Sequence, residues 1–122
     1  MISIDMSGKA VLITGGTKGI GKAAALRFGR AGARTYLTYK WGSADRGALL
    51  EEFDAAGAPR PELIEADVSV DEHTDRLLEE IARREKRIDI FVSNVGFAQR
   101  TMSLADYKKR SLFKTLEYST WP

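Results

Sequence analysis

The chain has 122 residues, of which 43% are hydrophobic and 30% are charged, and it contains no cysteine. This length and composition predict one globular unit, and they exclude a disordered, collagen-like or disulfide-stabilised chain. The 19 basic and 17 acidic residues leave a net charge of only +2, and the basic residues are scattered, so we expect no nucleic-acid partner.

The sequence also carries no signal for a membrane or for secretion. No apolar run approaches the roughly 18 residues that a membrane-spanning helix needs, so we expect no membrane partner. The first eight residues, Met1–Gly8, include Asp5 and lack an apolar stretch, which predicts that there is no signal peptide. Because the absence of cysteine suits a reducing compartment, we expect a cytoplasmic protein.

Strand-like and helix-like segments alternate along the chain, a pattern typical of a parallel sheet covered by helices. Apolar or β-branched runs predict four strands, over Lys9–Thr14, Thr35–Tyr39, Glu62–Val68 and Ile88–Asn94. Helices are predicted from Ile20 to about Gly29, from Ser43 to about Phe53, from Asp71 to about Ile81, and from about Ser103 to Tyr118. Ser43 and Asp71 are expected to cap their helices, and the whole chain forms one α/β unit.

A glycine-rich turn joins the first strand to the first helix, where Thr14–Gly21 reads T-G-G-T-K-G-I-G. Glycines at positions 15, 19 and 21 let the backbone turn sharply and approach a phosphate without Cβ atoms in the way. The helix that follows contributes unpaired N–H groups and its positive dipole end, which favour an anion. The turn is therefore predicted to bind phosphate.

Two other nucleotide-binding patterns overlap this turn. Gly16–Lys22 satisfies G-x-x-x-x-G-K, but Ala23 follows where a P-loop needs a hydroxyl for Mg²⁺, which argues against a nucleotide hydrolase. Gly19, Gly21 and Ala24 satisfy the loose G-x-G-x-x-A pattern, which is a weak signal by itself.

Three segments follow one another in order along the chain: the T-G-x-x-x-G-I-G turn, the Asp67-Val68 pair after the third strand, and Ile88–Gly96, which ends in S-N-V-G. Together they resemble the short-chain dehydrogenase/reductase family. The resemblance implies a Rossmann-like, doubly wound parallel sheet with strand order 3-2-1-4 in this chain and the remaining strands missing. Residues 1–122 are then expected to be a single dinucleotide-binding unit, an incomplete domain of this family.

The resemblance also implies which residues contact a dinucleotide cofactor. The family's Asp-Val pair assigns adenine contact to Asp67. Ser93 and Val95 depart from the family's N-N-A-G pattern, and the bulkier Val95 is expected to crowd the nicotinamide side. The expected cofactor-binding residues are Gly15, Thr17, Lys18, Gly19, Ile20, Gly21, Tyr39, Lys40, Asp67, Val68, Asn94, Val95 and Gly96.

The end of the second strand indicates which nicotinamide cofactor is bound. A ribose 2′-hydroxyl is usually held by an acidic residue there, whereas a 2′-phosphate needs basic groups. This strand ends in Tyr39, Lys40 and Trp41, with no acidic residue before Asp45. Lys18 stands where NADP-preferring members of the family often carry a basic residue. We therefore expect NADP(H) to be preferred over NAD(H).

Members of the family transfer a hydride between the nicotinamide and a small carbonyl or alcohol substrate, for example a 3-oxoacyl group or another ketone. Their catalytic serine, tyrosine and lysine follow the fifth and sixth strands, so we expect none of them in this chain. Tyr36 and Lys40 spell Y-x-x-x-K, but they lie in the second strand and are expected to serve the strand and the cofactor pocket. Glu117 is assigned to the position of a family asparagine that shapes a proton relay.

Several further expectations complete this interpretation. The single histidine, His73, is expected on the surface, and no cluster with metal-ligand spacing is found. The fourth strand is expected to expose its outer edge, together with an apolar face of the last helix, to a second copy or to the missing part of the domain. The alternative function is a non-catalytic dinucleotide-binding module or an inactive homologue.

Overall fold

A computed structural model describes residues 2–40, 45–96 and 100–122. Within these residues, the strands are β1 (Ala10–Ile13), β2 (Arg34–Tyr39), β3 (Glu62–Glu65) and β4 (Ile90–Val92). The helices are α1 (Gly19–Arg30), α2 (Arg46–Ala55), α3 (Asp71–Ala82) and α4 (Lys109–Ser119), and a single 3₁₀ turn over Leu104–Asp106 precedes α4.

The four strands form one parallel sheet in the order β3-β2-β1-β4, which confirms the predicted order 3-2-1-4. In the register of the sheet, Leu12 of β1 pairs with Tyr36 of β2 on one side and with Phe91 of β4 on the other. The chain runs outward from β1 through β2 to β3 and then returns to the opposite side of β1 for β4. The carboxyl ends of β1 and β4 therefore lie side by side, at a topological switch point.

Both faces of β1 are buried, which explains why this strand reads as a continuous apolar run. Alternate residues of β1 and β2 pack either on α1 and α2 or on α3. The first face contains Val11, Ile13, Leu37, Ala25, Leu49 and Phe53, and the second contains Ala10, Leu12, Tyr36, Leu77 and Ile81. The predicted Rossmann-like, doubly wound α/β fold is confirmed.

The predicted helix caps need correction. Asp45 caps α2, where its carboxylate accepts a hydrogen bond of 3.1 Å from the Ala48 N–H, and Ser43 lies outside the described residues. The prediction that Asp71 caps α3 is wrong, because extended Val70 occupies the N-cap position and Asp71 is already helical. Its carboxylate instead accepts a hydrogen bond of 2.9 Å from the indole N–H of Trp121.

The last predicted helix is shorter than the sequence indicated. The Ser103 hydroxyl donates a hydrogen bond of 2.9 Å to Asp106, and this local bond favours a 3₁₀ turn over a continuous helix. Tyr107 and Lys108 are extended, so α4 begins only at Lys109. The third and fourth strands are likewise shorter than predicted.

The expected exposed edge is present. β4 is the outer strand on its side of the sheet, and the side chain of Phe91 is 55% exposed. On α4, Leu112, Phe113 and Leu116 are each about half exposed. The exposure of these surfaces is as predicted, and what covers them stays a prediction.

A polar cluster at the amino end of β2 joins the sheet to the end of α3. Two guanidinium nitrogens of Arg34 each donate a hydrogen bond of 2.6 Å to Glu85, and the Tyr36 hydroxyl donates one of 2.8 Å to the same carboxylate. The bonds from Arg34 hold the pKa of Glu85 below its usual range, while burial and Glu85 raise the pKa of Tyr36 to about 12. Tyr36 thus bonds to Glu85 and serves the strand as expected, but it is not among the residues that line the cavity at the carboxyl ends of the strands, so the expectation that it serves the cofactor pocket is wrong.

Replacing Glu85 with glutamine should lower the free energy of unfolding by about 1–2 kcal/mol at neutral pH, because the charge-assisted bonds from Arg34 are lost. The pKa of Glu85 is lower in the folded than in the unfolded chain, so its contribution is present above the ordinary value of 4.5 and disappears as the pH falls through the folded value. Urea unfolding at neutral and acidic pH would show a difference between the wild type and Glu85→Gln that shrinks in acid.

Glu80→Gln is the matched control for this prediction. Glu80 also lies near the end of α3, but it is 3.9 Å from Arg84 and 41% exposed, so this variant should change stability by less than about 0.5 kcal/mol. A pH-independent effect of Glu85→Gln would contradict the predicted role of its charge.

Candidate cofactor-binding site

A cavity of about 320 Å³ opens at the carboxyl ends of the strands, at the switch point between β1 and β4. Open α/β sheets bind their ligands at this position. The lining residues come from the last two residues of β2, from the segments that follow the four strands, and from the end of the chain. They are Gly15, Thr17, Lys18, Thr38, Tyr39, Lys40, Ala66, Asp67, Val68, Ser69, Asn94, Val95, Gly96, Tyr118 and Pro122.

Most residues that the sequence predicted for the cofactor are in this lining. The exceptions are Gly19, Ile20 and Gly21, which form the first turn of α1 beside the cavity. Ile20 is 83% exposed, whereas Gly21 is buried beneath the turn. Trp41 lies outside the described residues.

The glycine-rich turn has the geometry of an anion site. Gly15 and Gly19 have φ angles of +64° and +59°, a region that favours glycine. Lys18 occupies the N-cap position of α1 and makes no side-chain capping hydrogen bond. A Cβ atom on Gly19 would meet nothing within 4 Å, so a ligand can approach the backbone here. Together these features fit a phosphate group at the start of α1.

Asn94 ties the glycine-rich turn to the end of β4. Its side-chain amide donates hydrogen bonds of 3.1 Å to the carbonyl oxygens of both Thr14 and Gly15. In return, the Thr14 hydroxyl accepts bonds from the backbone N–H groups of Asn94, at 3.1 Å, and of Val95, at 3.4 Å. The sequence identified Asn94 but not Thr14, whose partners are 80 residues away along the chain.

Thr38 ties the same turn to the end of β2. Its hydroxyl accepts a hydrogen bond of 3.0 Å from the Gly15 N–H, and its carbonyl accepts one of 3.1 Å from the Gly16 N–H. The residue is 1% exposed, so these bonds are shielded from water. The turn is therefore fixed from both neighbouring strands. The only sequence signal for Thr38 was its place two residues before Lys40.

A charged cluster lies where the segments after β2 and β3 meet. The Lys40 ammonium is 2.8 Å from the Asp67 carboxylate, and Ser69 donates to that carboxylate from both its N–H and its hydroxyl. Lys40 also lies 4.9 Å from the centre of the Tyr118 ring. The sequence placed Lys40 and Asp67 at the adenosine end separately, but it did not pair them, and it missed Ser69 and Tyr118.

Two other residues that the sequence singled out lie outside the cavity lining. His73 is half-buried, and its Nδ1 accepts a hydrogen bond of 3.0 Å from the Asp67 N–H, so this partly exposed residue also holds the turn after β3. Glu117 is exposed and is not in the cavity lining, and its assignment to a proton relay stays a prediction.

Metal-binding and membrane-spanning features are both absent from the described part of the chain. Among residues 2–40, 45–96 and 100–122, no group of three or more histidine, aspartate or glutamate side chains is arranged to hold a metal ion. Over the same ranges, every helix is too short or too polar to cross a membrane.

Comparison with known proteins gives consistent relatives. Residues 9–119 match the family model described as short chain dehydrogenase. The chain is 34% identical over 115 residues to glucose and ribitol dehydrogenase homolog 2 of Arabidopsis thaliana, covering 90% of this chain and 39% of that protein. It is 33% identical over 99 residues to NADPH-dependent aldehyde reductase 1, chloroplastic, of the same plant, covering 77% of this chain and 34% of the relative.

Solved structures show the same fold. The crystal structure of NADH-dependent reductase A1-R′ complexed with NAD superposes with a TM-score of 0.80 at 27% identity, covering 93% of this chain and 46% of that one. The chain thus spans less than half the length of the relatives it matches. The matched family model covers nearly the whole sequence, and this chain belongs to the short chain dehydrogenase family.

Proposed function

We propose that this chain is the cofactor-binding part of an NADP(H)-dependent oxidoreductase that acts on a small carbonyl or alcohol compound, such as a 3-oxoacyl group or another ketone. When bound, the nicotinamide cofactor supplies or accepts the hydride. The observation that carries the proposal is the cavity at the switch point, in which an uncapped helix start and two lysines accompany the family's glycine-rich turn. Family membership does not favour a non-catalytic binding module.

The residues of the chain then have distinct tasks in holding the cofactor. The turn at Gly15–Gly21 binds the pyrophosphate through backbone N–H groups at the start of α1. Asp67 and Val68 hold the adenine, while Val95 and Gly96 lie toward the nicotinamide side. Asn94 and Thr38 keep the turn in place through the hydrogen bonds described above.

The preference for NADP(H) rests on charge. Lys18 and Lys40 both line the cavity, and β2 ends without the acidic residue that would hold a ribose hydroxyl. A 2′-phosphate gains charge-assisted hydrogen bonds from such lysines, whereas a hydroxyl gains little. Of the three named relatives, one is described as NADPH-dependent and one as NADH-dependent, so they support neither choice by themselves.

Replacing both Lys18 and Lys40 with methionine should weaken NADP⁺ binding by about 10- to 100-fold, since the charge-assisted hydrogen bonds of these partly exposed lysines to the phosphate together contribute about 1.5–3 kcal/mol. Binding of NAD⁺ should weaken by less than about threefold, because it lacks the phosphate. Isothermal titration calorimetry of both cofactors on the purified protein measures the two losses.

Lys22→Met is the matched control for this test. Lys22 lies on α1, pairs with Glu52 at 3.1 Å and is outside the cavity lining, so its replacement should leave both affinities unchanged. Equal losses of NADP⁺ and NAD⁺ affinity in the double variant would refute the proposed preference.

We also propose a cytoplasmic location and an assembly that covers the edge of β4. The absence of cysteine supports the first. The exposed Phe91 and the apolar residues of α4 support the second, in which a further part of the domain or a second copy packs on this side.

A further inference from the structure

The ion pair between Lys40 and Asp67 is part of the cavity wall. The two side chains are 33% and 18% exposed, and both residues line the cavity. One carboxylate oxygen of Asp67 faces Lys40 at 2.8 Å, and the other accepts both hydrogen bonds from Ser69. His73 accepts a bond from the Asp67 N–H. The carboxylate is therefore held in position by its own turn as well as by the lysine.

Both members of the pair are ionised at neutral pH. The hydrogen bond to Asp67 raises the pKa of Lys40. Burial would raise the pKa of Asp67, but hydrogen bonds from Lys40 and Ser69 outweigh it, and the pKa of Asp67 lies below its usual range. The positive charge that would attract a 2′-phosphate is thus accompanied by a negative charge less than 3 Å away. An approaching phosphate experiences the attraction of Lys40 and the repulsion of Asp67 together.

We propose that Asp67 is a specificity-determining residue that limits the preference for NADP(H), acting against Lys40 at the 2′ position of the ribose. This inference rests on the proposed function, because it assumes that the cofactor's adenosine end binds beside Lys40. Asp67 penalises the doubly charged 2′-phosphate and has little effect on a neutral hydroxyl. Contacts of Asp67 with the adenine itself affect both cofactors equally, so the ratio of their affinities isolates the effect of its charge.

The test is a set of variants in the purified protein, with the dissociation constants of NADP⁺ and NAD⁺ measured by titration calorimetry. Asp67→Asn keeps the size of the side chain and an oxygen that can accept from Ser69. It should raise the preference for NADP⁺ over NAD⁺ by about three- to tenfold, in the direction opposite to Lys40→Met. An unchanged preference would overturn the proposal, and a lowered one would overturn it and show that Asp67 positions Lys40 for the phosphate.

Three further measurements make the outcome specific. Asp54→Asn removes the same charge from an exposed pair with Arg60 outside the cavity lining, and it should leave the ratio unchanged. Asp67→Ser is a second neutral variant, used if thermal unfolding shows that Asp67→Asn is not folded, and it should give the same increase. If Lys40→Met leaves the ratio of the two affinities unchanged, Lys40 does not bind the 2′-phosphate and the proposed preference for NADP(H) is wrong. If Lys40→Met lowers the preference for NADP⁺ as expected but Asp67→Asn does not raise it, only the inference about Asp67 is refuted.

Discussion

Replacing Gly21 with alanine is expected to destabilise the protein by about 3 kcal/mol and to weaken dinucleotide binding at least tenfold. A Cβ atom at this position would lie 2.3 Å from the Gly15 carbonyl oxygen and 2.7 Å from the Asn94 amide nitrogen. Neither atom can yield easily, because the first is backbone and the second is held by two hydrogen bonds. The variant must therefore push the phosphate-binding turn away from α1.

Urea unfolding and NADP⁺ titration would measure these two losses, and Gly47→Ala provides the control. Gly47 is also in the first turn of a helix, but its Cβ would approach nothing closer than 3.4 Å, at the Asp45 carboxylate. Alanine there should be neutral or should stabilise α2 by up to about 1 kcal/mol. A Gly21→Ala protein that unfolds at the wild-type midpoint would show that the turn is not packed as described.

The central part of the sheet was predictable from the sequence because β1 and most of β2 are buried on both faces. Such strands read as short apolar runs, and Ala10–Ile13 is the clearest example. The strand order came from the family resemblance rather than from the runs themselves. The ends of helices and strands were less predictable, because local hydrogen bonds such as the one between Ser103 and Asp106 shift them. The start of α3 was likewise displaced by one residue, since Val70 and not Asp71 is its N-cap.

The contacts that shape the site depend on pairs of residues far apart in the chain. Asn94 was recognised in a family-like segment, and Lys40 was recognised as a basic residue at the end of the second strand. Their partners Thr14 and Asp67 could be paired with them only once the sheet order was known, because strand ends distant in sequence meet at one edge. His73 shows the same limit, since a helical pattern indicates a surface position but not a hydrogen bond to the preceding turn.

Among the contacts that hold the glycine-rich turn, the largest effect on stability is expected when the amide of Asn94, a hydrogen-bond donor, is replaced by a carboxylate, which can only accept. In the native protein its amide N–H groups point at two carbonyl oxygens, those of Thr14 and Gly15. Asn94→Ala removes both bonds and should cost about 1–2 kcal/mol. Asn94→Asp places a carboxylate against the same two oxygens, and it should cost about 3 kcal/mol at neutral pH although it is closer to asparagine in shape.

The pH dependence separates repulsion from simple loss of packing. The two carbonyl oxygens repel the introduced carboxylate, which raises the pKa of this carboxyl group in the folded state above its unfolded value of about 3.9. Protonation of the group therefore stabilises the folded state relative to the unfolded state. The Asn94→Asp protein should therefore gain stability relative to Asn94→Ala as the pH falls toward that value. Ser93→Ala is the control: the exposed Ser93 hydroxyl donates a long hydrogen bond of 3.4 Å to the Pro122 carbonyl, and its removal should change stability by less than about 0.5 kcal/mol. If urea unfolding ranks Asn94→Asp above Asn94→Ala at neutral pH, the amide does not bridge β4 to the turn, and the rigidity assigned to the phosphate site has another source.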